Sequence, residues 1–109
     1  MSGLQLIDPG QLDKLAEQAR PYYEFLRRDG MSLGIYVLPV GGTDRQHPHA
    51  SDEVYVILRG RGTLRVRDQD HEVRQGSIVS VDRGEEHKFV DIADELHILV
   101  IFAPPDAPE

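Results

Sequence analysis

The chain has 109 residues and a formal charge of −7, with 19 acidic against 12 basic side chains. That balance argues against a nucleic-acid partner or an anionic membrane surface, and the length fits one small core. The absence of cysteine excludes a disulfide framework and a thiolate zinc site.

From the N-terminus, Met1-Ser2-Gly3-Leu4 lacks the basic start and long apolar run of a secretory signal. No stretch approaches transmembrane length, so a soluble cytoplasmic protein is expected. Asp8-Pro9 offers a helix cap followed by proline at the first helical position. Leu12, Leu15, Ala16 and Ala19 then keep helical spacing, which predicts a short helix over 11–20, ended by Pro21. Tyr22 to Arg27 leans to strand, Arg28-Asp29-Gly30 is a turn, and Met31 to Val40 is a strand rich in branched residues. Pro39-Val40-Gly41-Gly42 breaks it. Glu53 to Leu58 is the next strand, with Arg59-Gly60-Arg61-Gly62 as the turn out of it. A meander follows: Thr63 to Arg67, a turn at Asp68 to Asp70, His71 to Arg74, and Ser77 to Val81. A loop over Asp82 to Glu86 leads to His87 to Asp91, and Glu95 to Phe102 is the last strand, stopped by Ala103-Pro104-Pro105. Many short strands with glycine and proline turns imply an all-β sandwich or barrel.

Two runs carry the chemistry. The first reads Gly41-x5-His47-x-His49-x3-Glu53-x6-Gly60, the second Gly76-x7-Gly84-x2-His87. Three imidazoles and a carboxylate are a mixed nitrogen and oxygen set suited to first-row divalent metals. His47 and His49 are two apart, so an extended strand points both to one face. Glu53 shares parity with Tyr55 and Ile57, inside a run that is otherwise branched and aromatic. A buried carboxylate without a partner is costly, and a metal is a usual remedy.

These runs resemble the paired motifs of the cupin superfamily, Gly-x5-His-x-His-x3,4-Glu-x6-Gly and Gly-x5-Pro-x-Gly-x2-His-x3-Asn. The first matches at Gly41, His47, His49, Glu53 and Gly60; the second at Gly76, Gly84 and His87, with Asp82 in place of the proline and Asp91 in place of the asparagine. Asp82-Arg83-Gly84 retains turn chemistry. The resemblance covers roughly residues 32 to 103 and implies a cupin jelly-roll barrel with a short N-terminal helix. Its divisions are an N-terminal helix and edge segment over 1–30, the barrel over 31–104, and a frayed tail over 105–109. It further implies that His47, His49, Glu53 and His87 hold one divalent transition metal, drawn from Fe, Mn, Ni, Zn, Co and Cu. Small cupins are similar in forming homodimers. The aromatic segment Arg20 to Arg28 is expected to close the sandwich edge of its own subunit or of a partner.

Tyr36, Tyr55 and Phe89 are candidates for the pocket wall, although aromatics on alternating strands are mostly core. Gln46 is a candidate acceptor for a free imidazole N–H. His97 shares parity with Leu99 and Ile101, which predicts a hydrogen-bonded residue lining the barrel. His71 reads as exposed, and Arg59, Arg61, Arg65 and Arg67 as a solvated strand face. Glu85 and Glu86 read most simply as a polar loop, so no acid–base cluster singles out one reaction or names a catalytic residue. The preferred expectation is a metal-dependent enzyme of dioxygenase, oxidase or isomerase type acting on a small organic molecule. The alternative is a non-catalytic module that binds a metal or small ligand. A sugar-phosphate isomerase is disfavoured, because no glycine-rich loop feeds a helix N-terminus.

Overall fold

A computed structural model describes residues 4–44 and 50–105. Helix α1 (Pro9–Gln18) opens where the sequence signals it. The Asp8 amide donates to Gln11 Oε1 at 2.8 Å, and Pro9 has no N–H left to satisfy. The helix ends before 20, because Arg20 precedes a proline and is disfavoured in helical geometry; Ala19 is already extended. The predicted stripe is the one that packs: Ala16 and Ala19 are buried, with Leu12 and Leu15 half-buried.

Six strands follow: β1 (Tyr22–Arg28), β2 (Met31–Leu38), β3 (Asp52–Val66), β4 (Gln69–Arg74), β5 (Ile78–Val81) and β6 (His87–Ala103). All pairings are antiparallel, in the order β1-β2-β6-β3-β4, with β5 on β3. The aromatic segment after the helix is therefore β1, and it borders β2 of its own chain. Tyr22 turns inward across Gly34, where any Cβ would collide with its ring, and meets Tyr36 and Phe102 edge to face. Among the described residues, no helix is long and apolar enough to cross a membrane.

The two long strands decide the shape. The sequence reading puts a turn at Arg59 to Gly62 and a break between Asp91 and Glu95; the chain instead runs through both as strand. The ladder between the two strands shifts register three times, and each strand carries one positive-φ residue there. Gly60 has φ +97, and a Cβ there would collide with the Glu95 carbonyl. Asp91 has φ 48. Pairing between β3 and β6 slips from Ile57 to Thr63, as expected where extra residues enter a ladder. Inward positions change parity on crossing it. Glu53, Tyr55 and Ile57 are buried before the slip and Leu64 after it, while on β6 His87 and Phe89 give way to Ile92, Leu96 and Ile98.

The slip also bends the ladder. Glu53 pairs with Phe102 and His87 with Val66, so on a flat sheet the two would lie about 40 Å apart at roughly 3.3 Å per residue. They touch instead. The first half of β3 and the last half of β6, with β1, β2 and β5, face the other halves and β4 across an interior that includes Tyr36, Tyr55, Phe89 and Leu96. The result is an all-β jelly roll with one short helix. Burial of an aromatic such as Phe89 or Tyr55 in this interior stabilises the fold by about 2–3 kcal/mol.

The alternation on β6 corrects one expectation. His97 does share a face with Leu99 and Ile101, but the inward face of that segment belongs to Leu96, Ile98, Val100 and Phe102. His97 lies on the outer face, where its Nε2 contacts Glu95 Oε2 at 3.0 Å. Both parities of this segment are apolar, and the even one is the buried one.

Candidate metal centre

Glu53 enters the interior because β3 alternates from its first residues, and it is 2 % exposed. Opposite it, His87 is the first residue of β6, delivered by the turn after β5. Glu85 N–H donates to the Asp82 carbonyl at 3.1 Å, and Gly84 takes φ 76. Two arginines clip this turn from outside. Arg83 binds Asp52 through its backbone amide and its guanidinium, and Arg67 makes a two-pronged pair with Glu85 at 2.9 and 3.0 Å. Those bonds hold the Asp52 and Glu85 carboxyls below the usual carboxylate range.

The convergence is close. His87 Nε2 lies 2.9 Å from Glu53 Oε2 and 2.7 Å from the Tyr55 hydroxyl. That hydroxyl also donates toward Glu53 Oε2 at 3.3 Å. The other ring nitrogen, Nδ1, is 2.7 Å from the Glu85 carbonyl. Because a carbonyl only accepts, Nδ1 carries a proton, and Nε2 is the nitrogen that faces the carboxylate. Burial pulls the His87 imidazole down. The hydrogen bonds to Glu53 and the Glu85 carbonyl, with the charges of Glu53 and Asp44, outweigh it, so its pKa is raised.

This arrangement fits a metal. One imidazole is tautomerically fixed by a backbone carbonyl, as ligating histidines commonly are, and its free nitrogen points at a buried carboxylate. Glu53 and His87 are two of the four expected ligands; the other two, His47 and His49, lie outside the described residues, as does Gln46. Among the described residues, no three His, Cys, Asp or Glu side chains form a metal-ligating group.

The remaining candidates divide clearly. Tyr55 and Phe89 are buried beside the pair, their rings 5.2 Å apart. Tyr36 is also inward, but its hydroxyl donates to Asp44 Oδ1 at 2.7 Å. Asp44, which the sequence reading passes over, is 6 % exposed and also accepts the Phe89 amide at 2.8 Å. It stands three positions ahead of His47, at an unspecified position of the first motif, so spacing alone gives it no mark. His71 is exposed, as expected. The arginine stripe is met by acids: Arg59 by Asp13, Arg61 by Asp94, Arg65 by Asp70 and Arg67 by Glu85. A cavity of about 830 Å³ lies elsewhere, between β4 and β5, bordered by Leu64, Val66, Val73 and Val79. No side chain of the converging set borders it, and it lacks their focused chemistry.

The comparisons with known proteins agree with this architecture. A family model described as a cupin domain matches residues 34–102. An uncharacterized protein of Streptomyces coelicolor is 45 % identical over 101 residues, covering 89 % of this chain and 96 % of that protein. The crystal structure of an RmlC-like cupin family protein with a double-stranded β-helix fold from Methanocaldococcus jannaschii superposes with a TM-score of 0.70 at 27 % identity. The match covers 76 % of this chain and 78 % of that one. A cupin-2 domain containing protein from Shewanella frigidimarina gives a TM-score of 0.70 at 21 % identity over 88 % and 92 % of the two chains, a likeness of fold alone. With the family model matching well over half of its length, this chain belongs to the cupin family.

Proposed function

We propose that this protein is a small metal-dependent enzyme acting on a small organic molecule, of dioxygenase, oxidase or isomerase type. His47, His49, Glu53 and His87 would hold one divalent first-row ion. The observation that carries the reading is the contact between Glu53 Oε2 and His87 Nε2, 2.9 Å apart where both side chains are no more than 2 % exposed. A histidine and a carboxylate kept in so dry a place need a strong mutual or shared partner. When bound, such an ion supplies Lewis acidity toward a carbonyl or redox chemistry with oxygen.

The chain's own groups would do the rest. The Glu85 carbonyl fixes the His87 tautomer, Tyr55 holds a proton beside the pair, and Phe89 excludes water from one side. A non-catalytic binding barrel is the second reading, favoured by the close enclosure of Glu53 and His87 and by the position of the 830 Å³ cavity away from them. Loading with Mn(II) separates the two. Enhanced relaxation of bulk water protons by the bound ion means an exchangeable water and supports the enzyme; no enhancement favours the closed binding barrel.

A homodimer in the cytoplasm remains the expected working form. Among the described residues, strand β1 has one open edge, with Tyr23 and Met31 exposed nearby, and such edges invite pairing. Sedimentation as a monomer at micromolar concentration would remove that part of the proposal.

A further inference from the structure

Beside the carboxylate and the imidazole stands a third buried polar group, the Tyr55 hydroxyl. Tyr55 is 0 % exposed, and its hydroxyl is turned inward to the same spot as Glu53 and His87. A buried phenol normally finds a partner for its O–H. Here the partners include the two site residues. The three polar atoms form a triangle with edges of 2.9, 2.7 and 3.3 Å. Neighbouring donors around an ion with bonds of about 2.1 Å are themselves about 3 Å apart, so the triangle has the size of one face of a coordination polyhedron.

The hydroxyl is also held in place. Tyr55 lies mid-strand, paired with Val79 on one side and Val100 on the other. Its ring rests edge-on against Phe89. Two residues after Glu53 on the same face, it is carried by the same strand that positions Glu53. We propose that the Tyr55 hydroxyl oxygen is a direct donor to the same cation as Glu53 and His87. The inference rests on the metal reading and adds an oxygen donor to it. A further hard donor would favour ions that accept mixed nitrogen and oxygen ligands over those that prefer sulfur.

Tyr55→Phe removes the oxygen and keeps the ring. The test titrates Zn(II), a diamagnetic probe, into metal-free wild-type and Tyr55→Phe proteins, and follows the Cζ resonances of ¹³C-labelled tyrosine. The chain has 4 tyrosines, so the variant identifies the Tyr55 signal by its loss; if the variant fails to fold, through-bond assignment in the wild type serves instead. The expected result is a Tyr55 Cζ shift on zinc binding that the other tyrosines do not share, with affinity about tenfold or more weaker in the variant. Zinc binding with the Tyr55 signal unmoved overturns the proposal and leaves the metal reading standing, even where affinity falls. No zinc uptake by the wild type overturns both.

Discussion

Asp44 and Phe89 are joined by one hydrogen bond, 2.8 Å from the Phe89 amide to Asp44 Oδ2. Through it, the start of the segment that leads to His47 is fastened to the strand that begins with His87. The other oxygen of Asp44 takes the Tyr36 hydroxyl on β2, so one buried carboxylate ties together both walls of the barrel. Asp44→Ala would remove the carboxylate that a backbone N–H and a phenol both bond to, costing about 2–4 kcal/mol. Tyr36→Phe removes the bond to Asp44 but leaves the Phe89 amide bonded, and should cost about 1 kcal/mol. Urea unfolding of the metal-free proteins checks the order, and equal losses in the two variants would contradict it.

Glu53 and His87 make the metal-free protein pH-dependent. The pKa of His87 is raised in the folded state, so folding favours its protonated form. Its stabilising contribution is therefore full below the ordinary histidine value of 6.5 and is lost as pH rises through the higher folded value. The gap in stability between wild type and Glu53→Gln should shrink over that window. An NMR titration should place the His87 midpoint above 6.5, the ordinary value, and a midpoint below it would contradict the assignment.

Gly60 should resist substitution. Its φ of +97 and the Glu95 carbonyl against it mean that Gly60→Ala adds both backbone strain and a clash, with a loss of at least about 2 kcal/mol. At Gly10, in α1, an added Cβ would meet nothing within 4 Å, and Gly10→Ala should stabilise by about 0.5 kcal/mol. Thermal melts of the two variants should move in opposite directions.

The inward face of β3 was legible in the sequence, because Glu53, Tyr55 and Ile57 alternate without interruption. The bend was not. Arg59-Gly60-Arg61-Gly62 carries the same glycine chemistry for a turn as for a bulge, and only cross-strand pairing tells them apart. His97 was misplaced because the run Leu96 to Phe102 is apolar on both parities, so the pattern does not say which face turns inward. The two departures from the family motif do have local explanations. Asp91 adopts φ 48, a conformation that asparagine and aspartate both tolerate better than most residues. Asp82 accepts the Glu85 amide at the first position of a turn, a place where aspartate is favoured. Tyr55 was visible as an inward aromatic, but the direction of its hydroxyl depends on how far the barrel closes, which no periodicity encodes.

Glu53 and His87 are proposed to bind a metal together with His47 and His49. Elemental analysis of the protein purified without added metal, beside a His47→Ala/Glu53→Ala variant, tests this most directly. The expected result is about one first-row transition metal per wild-type chain and its loss from a variant that still folds. A wild-type protein that stays metal-free, even after reconstitution with iron, manganese, nickel and zinc, would contradict it.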